Sequence, residues 1–319
     1  MKEQYLIIYH KEDNDGLFSM AIIYNYLITE KCVSKDNIKL FGADYNDLEK
    51  LSFEDDIVKD SDYIYISDVS FDTVEKMMQL KEMFGNNLVW IDHHKPMIDN
   101  SISKGFDDIK GIRDTKHSAL YNAFKYLYPT QEMPELFKVL SAWDSWSYEA
   151  EGIDFDLCRY VNIGANNKFN LNPDFIINYV YFLIYTYGDN INVFEPIEKL
   201  REIGEFEARV LDRTYENNVK AYGDFSWTVN GRTACAMFIQ GPSNSQMFKI
   251  CKDKIQNGIV FKRLPDSNWV LSLYNTDNQH DFHCGEYLKE HFHGGGHEGA
   301  AGCQISEETF IELLKNKAI

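Results

Sequence analysis

Residues 88–96, LVWIDHHKP, run from four apolar residues directly into Asp92, His93 and His94. An apolar run of this kind is typical of a β-strand that is covered on both faces. Three adjacent ionisable side chains at the end of such a strand are costly to bury unless something binds them. In α/β proteins, ligands bind at the carboxyl ends of the strands. The stretch therefore indicates a binding or catalytic site.

Carboxylates and imidazoles also end or follow other predicted strands and one predicted helix. These residues are His10, Asp13, Asp15, Asp68 and Asp144. Oxygen and imidazole ligands without a thiolate suit Mn²⁺ or a similar cation better than a structural zinc ion. Each of these residues, taken singly, could have a structural role instead of binding a metal. Asp13 and Asp15 could be loop or N-cap residues, and His93 could be a core histidine. Because strand ends converge at one edge of a parallel sheet, the set together predicts a metal site.

Strands and helices that can position these residues alternate along the first half of the chain. Apolar runs predict strands at 5–10, 38–44, 63–68 and 88–94. Helical patterns cover 17–28, 71–84, 118–128 and 133–143. Strands that alternate with helices imply a mostly parallel sheet with right-handed crossovers.

The pattern changes in the second half of the chain. Helical segments continue from about residue 173 to residue 222, and alternating patterns typical of strands follow Gly223. We therefore predict an α/β protein in which a mostly parallel sheet with flanking helices forms a catalytic domain at 1–185. A helical connector at 186–222 and a smaller α+β domain at 223–319 complete the prediction.

Charge bears on the choice of substrate. The net charge is −18, with 50 acidic against 32 basic residues, and the densest basic run is Lys262-Arg263. A protein that follows many phosphates of a long nucleic acid needs clustered Lys and Arg. A small phosphate ester remains compatible with this charge, since bound divalent cations reverse the local potential.

The N-terminal sequence and the cysteines point to a cytoplasmic protein. The chain becomes acidic after five apolar or aromatic residues, so we expect no signal peptide. No window approaches ~20 uninterrupted apolar residues, so we expect no membrane span. The six cysteines are spaced singly, which is typical of reduced thiols.

Five motifs, in this order, resemble those of the DHH phosphoesterase superfamily. They are HKEDNDG at 10–16, YISDVS at 65–70, IDHHKP at 91–96, SAWDSW at 141–146 and HGGGHEGAAG at 293–302. The last resembles the DHH-associated C-terminal domain found in oligoribonucleases, cyclic-dinucleotide phosphodiesterases and the exonuclease RecJ. The motifs span nearly the whole chain.

The resemblance implies two divalent metal ions, with Mn²⁺ the expected metal. One ion would be held by His10, Asp13 and Asp68. The other would be held by Asp15, Asp68, His93 and Asp144, so that Asp68 bridges the two ions. Asp92 would orient an imidazole, and His94 would face the scissile phosphate.

The resemblance also implies a second anchor for the substrate. It consists of Gly294, Gly295, Gly296 and His297, whose N–H groups would bind the far end of the substrate. Many members carry an Arg in the strand before this loop, where this chain has Tyr274. Arg113 and Ser118, near the start of a predicted helix, are further candidates for substrate contacts, since a helix N-terminus favours anions.

These expectations lead to a metal-dependent phosphodiesterase. Its substrate would be a short oligonucleotide, a cyclic dinucleotide or another small nucleotide. One alternative is a single-strand-specific 5′–3′ exonuclease of the RecJ type, and another is a non-catalytic scaffold or nucleic-acid-binding protein. We expect no membrane partner, and a homodimer is one option for the assembly.

Overall fold

The computed structural model describes residues 2–71, 73–103, 108–185, 196–241, 243–276, 282–296 and 298–319. The chain divides into two compact units, Met1–Glu207 and Ala208–Ile319. The division falls inside a long helix, α11 (Pro196–Tyr222). The predicted boundaries of the helical connector stay predictions.

A four-stranded parallel sheet forms the centre of the N-terminal unit. Its strands are β1 (Tyr5–His10), β2 (Ile38–Ala43), β3 (Tyr63–Ser67) and β4 (Leu88–Ile91), in the order β2-β1-β3-β4. Alternate residues of β1 belong to two apolar layers, Ile7 to one and Leu6 to the other. The predicted parallel sheet, covered on both faces, is confirmed.

Helices cover both faces of this sheet. They are α1 (Asn14–Thr29), α2 (Tyr45–Lys50), α3 (Asp56–Lys59), α4 (Val74–Phe84), α5 (Lys95–Ser103), α6 (Ala119–Leu127), α7 (Glu135–Asp144), α8 (Tyr148–Glu151), α9 (Phe155–Phe169) and α10 (Pro173–Tyr185). Apolar residues of α1, α6, α7, α9 and α10 form one layer, and those of α2, α3 and α4 contribute to the other. Of these helices, α1, α4, α6, α7 and α10 lie in segments predicted to be helical, whereas α2, α3 and α9 were not predicted.

The strand order determines where a ligand can bind. β2 and β3 lie on opposite sides of β1, so the chain changes direction across the sheet at β1. In open α/β sheets, the crevice at such a point lies outside the carboxyl ends of the strands. The HKEDNDG, YISDVS and IDHHKP motifs all meet this edge of the sheet.

Two glycines allow α9 and the first half of α11 to approach closely. A Cβ atom on Gly164 would lie 1.9 Å from the carbonyl oxygen of Leu200, and one on Gly204 would lie 1.8 Å from that of Tyr160. Real Cβ atoms do not approach a carbonyl oxygen this closely. The two helices therefore pack backbone against backbone, as only glycine permits.

A six-stranded mixed sheet forms the C-terminal unit. Its strands are β5 (Asp224–Val229), β6 (Arg232–Phe238), β7 (Asn257–Arg263), β8 (Trp269–Asn275), β9 (Gly295–Gly296) and β10 (Ala300–Ile305), in the order β5-β6-β7-β8-β10-β9. Two helices, α12 (Cys284–Phe292) and α13 (Glu307–Asn316), accompany it. The side chain of Ser306 accepts a hydrogen bond from the N–H of Thr309 and caps α13. The predicted α+β character is confirmed.

Among the helices in the described part of the chain, none combines the length and the apolar character that crossing a bilayer requires.

Candidate metal centre

His93, which follows β4, lies at the centre of a cluster of carboxylates. Its Nε2 atom is 3.2 Å from Oδ2 of Asp144 and 3.3 Å from Oδ1 of Asp68. The same atom is 3.8 Å from Oδ2 of Asp15. The four residues that the DHH resemblance assigns to one metal ion are thus brought together. Their role as ligands remains a proposal.

Two overlapping groups in this cluster have the donor atoms and spacing of a cation site. They are Asp68, His93 and His94, and Asp15, His93 and Asp144. Within each group the donor atoms lie within 4.8 Å of one another. Burial, followed by the neighbouring positive charge of His94, lowers the pKa of His93. A neutral imidazole is the form that binds a metal ion.

Asp68 shows most clearly that the cluster suits a cation. The residue is 2% exposed, and neither carboxylate oxygen accepts a hydrogen bond from any residue that the structure describes. Its backbone has a positive φ of 58°, a conformation that residues other than glycine adopt at a cost in free energy. Burial and the nearby charges of Asp15 and Asp13 raise its pKa well above the usual range. A divalent cation would satisfy both oxygens and remove this repulsion.

Asp15 is held by the N-terminus of α6. Its two carboxylate oxygens accept hydrogen bonds from the backbone N–H groups of Ala119 and Leu120, each at 2.8 Å. The side chain of Ser118 caps the same helix by accepting from the N–H of Tyr121. The anion at this helix N-terminus is therefore the protein's own carboxylate. The structure shows Ser118 as a buried helix cap, and its predicted contact with a substrate stays a prediction.

Asp92 orients His94. Its Oδ1 lies 2.8 Å from Nδ1 of His94 and accepts a hydrogen bond from the backbone N–H of His93 at 2.7 Å. Its Oδ2 accepts from the indole N–H of Trp90 at 3.2 Å. Burial opposes ionisation of Asp92, yet the charge and hydrogen bond of His94 outweigh it and lower the pKa of Asp92. Burial also opposes the charged form of His94 and lowers its pKa. The charge and hydrogen bond of Asp92 outweigh this effect, so the pKa of His94 is raised.

His10 and Asp13 form the other side of the cluster. Nε2 of His10 lies 3.6 Å from Oδ2 of Asp13, while Oδ1 of Asp13 accepts from the N–H of Gly16 and caps α1. The helix begins at Asn14, earlier than the predicted residue 17, so the N-cap alternative for Asp13 holds. A Cβ atom on Gly16 would lie 2.1 Å from the carbonyl oxygen of His10, which explains the glycine.

Asn122 was not identified from the sequence. It is buried in α6, and its side-chain N–H group donates to the carbonyl oxygens of Asp92, Asp114 and His117 at 3.1–3.3 Å. The residue therefore fixes the loop that carries the two histidines. A lone asparagine within the apolar segment SALYNAFKYLY was the available signal.

Arg113 forms an isolated parallel β-bridge with Asp92. Its guanidinium donates to the carbonyl oxygens of Trp90 at 3.0 Å and Ile109 at 2.7 Å, and lies 5.1 Å from the Trp90 ring. These contacts anchor the chain beside β4. The structure thus shows Arg113 in contact with the sheet, and its predicted contact with a substrate stays a prediction.

Tyr45, a second residue that the sequence did not single out, begins α2 after the end of β2. Its ring is 51% exposed and lies 6.3 Å from the ring of His10. The helix is fixed by a reciprocal pair of hydrogen bonds between Asp44 and Asp47, and Lys11 also pairs with Asp47. An exposed aromatic ring is therefore held beside the cluster.

In the C-terminal unit, the glycine motif forms a tight turn against α12. Gly295 and Gly296 pair with β10, and Gly296 has a positive φ of 141°. A Cβ atom on Gly285 would lie 2.2 Å from the carbonyl oxygen of Gly296. The N–H of Gly294 donates to Leu288, so this predicted anion donor is already used. His297 lies outside the described residues.

Comparison with known proteins identifies the fold. A scan against protein-family models and a search of curated proteins find no match. Among solved structures, the chain matches the DHH domain of a protein described as a member of the s1p family of ribosomal proteins. The match has a TM-score of 0.57 and 15% identity, and it covers 99% of this chain and 85% of that one. The chain has the fold of this DHH domain.

Two further structures match over nearly the whole chain. One is RecJ from Thermus thermophilus, in complex with Mg²⁺, with a TM-score of 0.47, 12% identity, and 98% of this chain and 48% of that chain covered. The other is an uncharacterized protein from Helicobacter pylori, with a TM-score of 0.38, 16% identity and 99% of each chain covered. In this chain, Asp68 and His93 follow β3 and β4 and lie at the carboxyl edge of the parallel sheet.

Proposed function

We propose that this protein is a metal-dependent phosphoesterase that hydrolyses short oligonucleotides or another small nucleotide. The observation that carries the proposal is Asp68, a buried carboxylate without a hydrogen-bond donor among the described residues, set among further carboxylates and His93. Such a group lowers the stability of the fold, because burying an uncompensated charge costs free energy. Its presence therefore indicates a function other than stabilisation. The DHH fold supplies the reaction class as an analogy.

Two divalent cations fit the donor set. Asp15, Asp68, His93 and Asp144 would hold one, and His10, Asp13 and Asp68 would hold the other. When bound, divalent cations activate water and offset the charge of a phosphate. We propose Mn²⁺ as the metal because the ligands are carboxylates and imidazoles.

His94 would contact the reacting phosphate. Asp92 binds Nδ1 of His94, so the Nε2 atom on the opposite side of the ring is directed away from Asp92. In the metal-free protein, burial lowers the pKa of His94, and the charge and hydrogen bond of Asp92 outweigh burial and raise it. A protonated Nε2 can donate to a phosphate oxygen or give a proton to the leaving group. Asp92, buried and fully hydrogen-bonded, positions the ring and takes no proton itself.

The charge of the chain supports a small substrate. With 50 acidic and 32 basic residues, it lacks the dense basic segment that binding of a long single strand requires. We propose that Gly295, Gly296 and His297 contribute to substrate binding, as the motif implies. A RecJ-type exonuclease is the second candidate, and the charge argues against it.

A hydrolysis panel tests the proposal. The purified protein with Mn²⁺ is given a dinucleotide, a cyclic dinucleotide, 3′-phosphoadenosine 5′-phosphate and a single strand of about 25 nucleotides, well beyond one small binding site. We expect the highest kcat/KM on one of the small nucleotides, and loss of activity with EDTA and in Asp144→Ala. Asp36→Ala, on an exposed turn, is the matched control and should behave as wild type.

Each outcome has a definite meaning. Processive hydrolysis of the long strand with comparable efficiency, at low and at physiological salt, would favour the exonuclease. A folded protein that binds Mn²⁺ and hydrolyses none of the four substrates would overturn the proposal in favour of a scaffold.

A further inference from the structure

Trp146 lies at a turn position where glycine is the usual residue. Helix α7 ends at Asp144, and the N–H of Ser147 donates to the carbonyl of Ala142 at 3.1 Å, the hydrogen bond that closes a Schellman turn. In this turn Trp146 has a positive φ of 57°. A bulky residue in the left-handed region destabilises the turn. The backbone therefore gives no reason for a tryptophan here.

Burial gives no reason either. The side chain of Trp146 is 45% exposed, whereas Trp90 and Trp227 are almost fully buried. Two other helices in the same unit end in the left-handed region with Gly152 and Asn170, residues that suit that conformation. A strained, exposed aromatic residue thus needs an explanation outside the folding of the chain.

The position of Trp146 supplies one. It lies two residues after Asp144, whose Oδ2 atom is 3.2 Å from Nε2 of His93. The indole is therefore carried by the turn that immediately follows a residue of the carboxylate cluster. Tyr45, also exposed, lies near His10 on the other side of that cluster. Exposed aromatic rings beside a polar site are typical of ligand-binding surfaces.

We propose that Trp146 stacks on a nucleobase of the substrate, next to the phosphate that is hydrolysed. This inference rests on the proposed phosphoesterase function and specifies that the substrate carries a base close to the scissile phosphate. Stacking on an aromatic ring tolerates any base, because every base has a π-face. The site would then select nucleotides over simple phosphate esters without selecting a sequence.

Trp146→Asn separates stacking from a structural role. Asparagine suits the left-handed turn, so the variant should unfold at a temperature equal to or above that of wild type. Its KM for a dinucleotide should rise about tenfold or more, with a smaller change in kcat. On the same dinucleotide with the base at the stacked position removed, wild type and variant should have equal kcat/KM.

Phe175→Asn is the matched control. Phe175 is also 45% exposed but lies on α10, distant in sequence from the motifs. The KM of Phe175→Asn for the dinucleotide should therefore equal that of wild type. A second readout does not depend on turnover. Titration of the Mg²⁺-loaded protein with adenosine monophosphate should quench its tryptophan fluorescence, and Trp146→Phe should lose most of this quenching.

The outcomes distinguish this inference from the proposed function. If wild type hydrolyses the dinucleotide and Trp146→Asn has an unchanged KM, stacking is wrong and the phosphoesterase proposal stands. If the variant loses kcat equally on the base-free substrate, Trp146 positions Asp144 and does not stack. If wild type hydrolyses no nucleotide and shows no quenching, both proposals fail.

Discussion

Asp68→Asn should make the metal-free protein more stable and the metal-loaded protein less stable than wild type. In the metal-free fold, Asp68 is a buried carboxylate beside Asp15, Asp13 and Asp144, and it accepts no hydrogen bond from a described residue. Asparagine keeps the shape, tolerates the positive φ and removes the charge. Its amide N–H can also donate to the neighbouring carboxylates.

The magnitude follows from the cost of an unsatisfied buried group. Such a group costs about 1–3 kcal/mol, and more when it is charged. For a unit of this size, 1 kcal/mol corresponds to roughly 2–4 °C in Tm. We therefore expect Asp68→Asn to raise the Tm in EDTA by roughly 2–12 °C. With Mn²⁺ at 100 times its Kd, wild type should gain about 2.7 kcal/mol, and the variant much less.

The pH dependence has a definite sign. The pKa of Asp68 is raised in the folded protein, so the folded state binds its proton more tightly than the unfolded chain. This contribution to stability is fully present below the unfolded pKa of about 4 and is lost as pH rises through the folded-state pKa. In EDTA the Tm of wild type should therefore fall over this window more steeply than that of Asp68→Asn.

Thermal unfolding followed by circular dichroism, with EDTA and with Mn²⁺ at several pH values, measures all three effects. Asp36→Asn, a change on an exposed turn, controls for the loss of one negative charge. The reasoning is refuted if Asp68→Asn is less stable than wild type in EDTA, or if Mn²⁺ stabilises both proteins equally. Hydrolysis by the variant at a rate near that of wild type would refute the bridging role of Asp68 separately.

Three further predictions concern individual residues. Asn122→Ala should lower the free energy of unfolding by about 1–3 kcal/mol, because it leaves buried carbonyl groups without a donor, and chemical denaturation measures this change. Gly204→Ala should destabilise the protein by more than about 2 kcal/mol, because the added Cβ would overlap the carbonyl oxygen of Tyr160. Gly241 has open space around it, so Gly241→Ala should unfold at the same denaturant concentration as wild type. His297→Ala should reduce kcat/KM about ten- to a hundredfold while elemental analysis shows the wild-type metal content, and loss of metal would contradict its assignment to substrate binding.

Apolar runs made the core of the N-terminal unit predictable. Strands β1, β3 and β4 were recognised because a buried strand needs a continuous apolar segment, whereas β2 is a partly buried edge strand that was recognised from a shorter apolar run. Parallel strands bring their carboxyl ends to one edge. The proximity of Asp68 to His93 follows from this rule alone. The observed strand β4 ends at Ile91, so the three ionisable residues follow the strand instead of ending it.

Contacts between distant segments could not be predicted in this way. The pairing of Asp15 with the N-terminus of α6 joins residues more than a hundred positions apart, and no local pattern records it. Helix α9 was not recognised because its sequence, FDLCRYVNIGANNKF, is rich in polar residues, although Cys158, Val161, Ala165 and Phe169 form a buried face. On another part of the helix, Gly164 lets the backbone of α11 approach closely. Local propensity carries no information about such a close approach.

The order of the proposed ligands along the chain has a consequence for synthesis. His10, Asp13 and Asp15 leave the ribosome first, and Asp144 follows only when α7 has been made. A partly synthesised chain therefore holds some of the donors without the helix N-terminus at Ala119 that fixes Asp15. On the proposed ligand assignment, the donor set is complete only after α7 has emerged. A chain that ends before Asp144 would therefore gain less stability from the ion than the complete unit.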